Sequence, residues 1–170
     1  MSHILINVQL MMRASLTASG EHAHLELFWC RSSEGLTWQE GLWKQFPEMS
    51  QSDFQLALIE GAVLASLKRL EAGLLKQRQD VRPISLGDQE NLFELRWQFA
   101  INGELKRLRM YFVENALRAF AVCFRLKMVL ETNEQTRLKQ NMDIAQAREL
   151  AQLAMAHSFA NCVAWRESIE

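Results

Sequence analysis

Between Asn91 and Lys127 apolar and polar residues alternate in three runs, separated by Asn102-Gly103 and Glu114-Asn115. A period of two marks strands with one buried face, and short turn-forming pairs between such runs mark hairpins. The segment is therefore read as a three-stranded antiparallel meander. Upstream, His24 to Trp29 alternates before becoming continuously apolar, as a first core strand would. Trp38, Trp43 and Phe46 share one side of a short helix that Pro47 breaks. Leu56, Ile59, Val63, Leu67, Leu70 and Leu74 then recur at three- and four-residue spacing, after Ser50 and Asp53 in a capping-box arrangement. These two helices are read as a hairpin laid over a sheet. Gln77 to Gly87 reads as an irregular polar connection. Beyond a polar stretch from Glu131 to Lys139, Ile144, Ala147, Leu150, Ala151 and Ala154 predict an Ala-rich amphipathic helix, whose continuation through Phe159, Val163 and Trp165 stays open.

The order strand, helical hairpin, meander, C-terminal helix defines an α+β domain spanning residues 21–170. Residues 1–20 are read as an N-terminal extension or an extra edge strand. A chain of 170 residues with 49% hydrophobic content fits one domain with a full core. No run of eighteen apolar residues occurs and the N-terminus lacks signal-peptide features, so the expectation is a cytoplasmic protein with no membrane contact. Cys30, Cys123 and Cys162 are odd in number and widely spaced among apolar neighbours, which predicts buried, reduced thiols. The four histidines make no metal-ligand spacing, so no metal is expected. Nor is an organic cofactor, since phosphate-loop and nucleophile-elbow motifs are missing.

Charge changes this picture at one place. The whole chain carries −1, yet in the meander Arg96, Lys106, Arg107, Arg109, Arg118, Arg125 and Lys127 face only Glu94, Glu104 and Glu114. A basic sheet on a neutral protein suggests a surface for phosphate. Alternation places Arg107, Arg109 and Tyr111 on one side of their strand and Leu108, Met110 and Phe112 on the other, so the basic side is expected to face solvent. The same pattern is what any half-exposed sheet shows, with Arg and Lys in cross-strand pairs with the glutamates.

From about His24 to His157 the chain resembles the RelE/ParE toxin superfamily, most closely its HigB-like, phage-derived branch. The resemblance is carried by LASLKRLEAG at the end of the second helix and by RPISLGDQENLFELR leading into the meander. It continues in MYFVEN, in the strand ending FRLK, and in the closing MDIAQARELAQ. It implies a small α+β fold with a working sheet, an antitoxin as partner, and ribosome-dependent cleavage of mRNA. The alternatives it leaves are a toxin directed at gyrase or another protein, and a non-toxic phage or accessory binding protein of the same fold. Cutting RNA through its own 2′-hydroxyl needs a base, cations for charge on phosphorus oxygens, and an acid for the leaving oxygen. By resemblance Arg96, Arg109 and Lys127 are the catalytic candidates, while Arg107, Arg118, Arg125 and Tyr111 are candidates for holding RNA. One departure is plain: related toxins place an arginine three residues before the strand tyrosine, where this chain has Leu108.

Overall fold

Each helix begins where a short polar side chain can take up a free backbone N–H. A computed structural model describes residues 24–31, 36–76, 79–84, 92–128 and 132–167, so the segment read as an N-terminal extension lies outside the described residues. Thr37 and Glu40 cap each other's backbone at the start of α1 (Trp38–Trp43). Asp53 is itself the N-cap of α2 (Phe54–Glu71), accepting from Gln55 N at 2.8 Å. Ser50, expected to hold that role, sits a turn earlier. Thr132 and Gln135 form a second reciprocal box at the start of α3 (Asn133–Ala156). That helix therefore starts inside the polar stretch from Glu131 to Lys139, because its first turns have little apolar surface to bury.

Six strands form one mixed sheet. Those described are β1 (Glu26–Cys30), β2 (Val81–Pro83), β3 (Leu92–Ile101), β4 (Glu104–Asn115), β5 (Arg118–Lys127) and β6 (Cys162–Ala164). Their spatial order is β2-β3-β4-β5-β1-β6, with β1 parallel to β5 and the other pairings antiparallel. The expected meander is β3-β4-β5. Its first turn is at Asn102-Gly103, both with positive φ (50° and 80°), as a two-residue hairpin turn of that twist requires. Its second turn falls two residues later than expected, at Ala116-Leu117. Asn115 still pairs with Arg118, and Ala116 takes the left-handed conformation at φ 53°.

Two strands were not foreseen. β2 lies within the polar connection, too short to show a period. β6 lies where continuation of the last helix was left open: left-handed Ser158 and Phe159 end α3 and turn the chain back along β1. Cys30 and Cys162 are directly opposed in that pairing and are joined by a disulfide, while Cys123 is free and buried. The expectation of three reduced thiols is corrected for two of them. Their spacing of 132 residues gave no local signal; a late strand brings them together.

The helices α1 and α2 cover one face of the sheet. Leu56, Ile59, Val63, Leu67 and Leu70 pack with Trp29, Phe93, Leu95, Met110, Phe112 and Phe124. Leu74, counted in the expected stripe, lies past the helix end and is exposed. Gly41 lets α1 lie directly on Trp29, since a Cβ there would come within 2.9 Å of the indole ring. α3 covers the other face through Ala147 and Ala151, whose small side chains let it approach Tyr111, Val113, Phe120 and Val122. No helix among the described residues is long and apolar enough to cross a membrane.

A candidate phosphate-binding cleft on the basic sheet

The register of the sheet arranges its charges in rows. Arg82, Glu94, Tyr111 and Cys123 are opposed across β2 to β5, followed by Arg96, Arg109 and Arg125, and then by Gln98, Arg107 and Lys127. All belong to the face that α3 covers. Arg125 and Lys127 reach it only because of a bulge: Tyr111 pairs with Cys123 but Phe112 with Ala121, leaving Val122 as an extra residue. Val122 and Cys123 then both face α3, and the alternation of β5 changes phase. Without that extra residue Arg125 and Lys127 would point into the apolar core beneath α1 and α2.

α3 covers the first row and leaves the last open. A cleft of about 330 Å³ results, lined by Arg82, Arg96, Gln98, Arg107, Arg109 and Lys127, with Gln140 of α3 at its side. Behind the lining arginines Glu94 is a buried anchor. Its carboxylate accepts from Arg109 Nη1 at 2.7 Å on one oxygen and from Arg96 on the other. A carboxylate held between two guanidinium groups fixes both in place.

Lys127 and Arg107, in contrast, have no ion-pair partner among the described residues. Arg107 Nε is buried without an acceptor. Its unmet hydrogen-bonding capacity is the kind of buried polar group that an anion would satisfy. Burial lowers the Lys127 ammonium pKa from its ordinary value, and the positive charges of Arg109, Arg107 and Arg96 lower it further, against a smaller opposing effect of Glu94. Crowded cations with one anion among them form a field that attracts phosphate and favours release of a proton.

The expected solvent-facing basic side is thus corrected in part. Tyr111 is 1% exposed beneath α3, opposite Glu94, so its ring is not open for stacking a base. Burial, then the charge of Glu94, push its phenol up to about 12. Arg109 is 8% exposed and committed to Glu94. Arg118 lies at the opposite end of β5, paired with Glu26 and over the ring of Phe28, away from the cleft. Arg125 lies one row from Lys127, donating to Phe124 O and to Gln146. The cleft accordingly gathers Arg96, Arg107, Arg109 and Lys127 of the candidates. It adds Arg82, Gln98 and Gln140, which no sequence signal distinguished because they come from β2, an unturned strand position and a facing helix. Among the described residues no group of three or more His, Cys, Asp or Glu is placed to hold a metal ion.

No protein-family model, curated protein or solved structure matches this chain. Fold and site by themselves define an α+β protein with a sheet sandwiched between helices and a cationic cleft at one end of it.

Proposed function

We propose that the chain is a toxin of the RelE/ParE type that engages RNA by its phosphate backbone and cleaves mRNA on the ribosome, with an antitoxin as its regulator. The carrying observation is the convergence of Arg96, Arg107 and Lys127 on one open cleft, with Arg96 fixed by buried Glu94. In this reading Arg96 and Arg107 hold the nonbridging oxygens of the scissile phosphate as charge builds on them. Lys127, its proton loosened by burial and then by the positive charges around it, exchanges a proton with the reacting oxygens. The 2′-oxygen gives up its proton and bonds to phosphorus while the bond to the 5′-oxygen breaks and that oxygen is protonated. A 2′,3′-cyclic phosphate and a 5′-hydroxyl result. Arg109 acts through Glu94 as a positioning residue, and Arg125 extends the contact along the strand. In this reading the action is in the cytoplasm, where ribosomes and mRNA are and where a bond such as Cys30–Cys162 is uncommon.

A second reading, a toxin directed at a protein, draws on a different surface. Phe54 and Leu58 of α2 are 75% and 58% exposed, whereas Trp38 of α1 is buried. Large exposed apolar residues are a feature of interaction sites.

Induced expression in a bacterial host, with growth and primer extension on an abundant translated mRNA, separates the readings. Growth arrest with codon-phased cuts that disappear in Arg96→Ala and Lys127→Ala supports the nuclease. Arrest with intact mRNA, retained in those variants and lost in Phe54→Ala, supports the protein target. Absence of arrest overturns both.

A further inference from the structure

The cationic cleft ends at Lys127, but the chemistry of β5 continues. Arg125 lies one strand period away, roughly 6.6 Å along the strand, and lines a second cavity of about 470 Å³. It is lined by the buried Trp29, Val122 and Phe124, by the half-buried Gln45 and Leu150, and by Lys44 and Arg125 as its cations. The topology explains why it is there. β1 pairs with β5 only as far as Trp29 opposite Ala121, after which that edge of β5 has no neighbouring strand as far as Lys127, its other edge staying paired with β4. α1 closes over the gap from one side and α3 from the other.

The bare strand edge in this gap is already satisfied by side chains. Gln45 Oε1 accepts from Leu126 N at 3.1 Å, and Arg125 Nη1 donates to Phe124 O at 2.7 Å. An added β-strand would have to displace both, so the cavity suits a compact ligand better than an extended peptide. Among its described lining residues none is acidic, which disfavours a cation as the occupant. Small-molecule sites are typically clefts of about 300–1,000 Å³ with apolar walls and a few polar groups that fix orientation. A flat group with apolar faces and polar edges, joined to an anion, matches these walls and this rim.

We propose that this cavity is a nucleoside subsite, taking the base and ribose of a ribonucleotide whose phosphate lies between Arg125 and Lys127. The proposal rests on the reading of the neighbouring cleft as a phosphate site. It gives that site a polarity: the chain of an RNA strand enters along β5, one base seated beside α1 and the backbone passing over Lys127 toward Arg107. Recognition by such a pocket reads the base, which a row of arginines alone does not.

Nuclear magnetic resonance titration of the full chain tests it, following the five tryptophan indole N–H signals, with Trp29 assigned through Trp29→Phe. The probes are inorganic phosphate, ribose 5-phosphate, and the 3′-monophosphates of uridine and adenosine. A nucleotide is expected to bind at least tenfold more tightly than ribose 5-phosphate and to shift the Trp29 signal, which inorganic phosphate leaves in place. Leu150→Trp, which fills the cavity from α3, is expected to reduce nucleotide affinity to that of ribose 5-phosphate with no change for inorganic phosphate. Should that variant not fold, the Trp29 titration of the unaltered chain decides the matter. Equal affinity for nucleotide and ribose 5-phosphate with an unmoved Trp29 overturns the subsite and leaves the phosphate cleft standing. Failure of all four probes to bind overturns both.

Discussion

Replacing Glu94 by leucine removes the anion that anchors the basic face. Its side chain is 1% exposed and that of Arg109 is 9% exposed, so the pair is shielded from water; Arg96, at 26%, keeps partial access to solvent. The cost is therefore set by Arg109, whose guanidinium would be left buried without its carboxylate. Breaking a buried pair from one side costs about 3–5 kcal/mol, whereas replacing both partners by apolar residues is close to neutral or favourable. For a domain of this size each kcal/mol moves Tm by about 2–4 °C, giving a fall of roughly 6–20 °C. Urea unfolding at pH 7 measures the free energy, and thermal denaturation the shift. Glu94→Leu with Arg109→Leu is expected to recover at least about half of the loss, since the uncompensated charge goes with Arg109. A single variant within about 1 kcal/mol of the parent, or a double variant no more stable than the single, would refute the reasoning.

Tyr111 is the one tyrosine in the chain, so absorbance near 295 nm reports its ionisation alone. The midpoint in the folded protein is expected near 12. Because the folded state binds this proton more tightly than the unfolded chain, the stability it contributes is present below pH 10 and is lost as pH rises from 10 through about 12. A midpoint at the ordinary tyrosine value while the protein stays folded contradicts the burial beneath α3. Cys123, its thiol pushed up to about 11 by burial, is expected to resist Ellman's reagent at pH 8 until the chain unfolds. One thiol should then titrate without reductant and three with it, and three in both conditions would rule out the Cys30–Cys162 bond. Reducing that bond is expected to cost on the order of 2–4 kcal/mol in urea unfolding, because it closes most of the chain into a loop. Gly41→Ala places a methyl 2.9 Å from the Trp29 ring and is expected to destabilise by about 1–3 kcal/mol in the same assay; an unchanged midpoint would mean that α1 rides freely on the sheet.

Local pattern carried much of the architecture. The α2 stripe from Leu56 to Leu70, the meander and the Asn102-Gly103 turn were legible, as each is a repeat with a period or a dipeptide with a backbone preference. β2 and β6, of three residues each, were not, being shorter than any period and formed because a long neighbouring strand offered an edge. The start of α3 was missed for the opposite reason: its first turns are largely exposed and bury no apolar face.

For the site, the sequence by itself determined which charges exist and that they sit on strands of alternating character. Alternation follows from the backbone's twofold geometry, so Arg107, Arg109 and Tyr111 share a side in any strand without a bulge between them. Tertiary structure decided what that side meets. α3, held close by Ala147 and Ala151, buries Tyr111 and Arg109 and leaves Arg107 and Lys127 open. The bulge at Val122 depends on pairing between β4 and β5, and that one unpaired residue sets the face on which Arg125 and Lys127 stand. Sequence spacing carries the period of a strand; its phase and its covering come from neighbours distant in the chain.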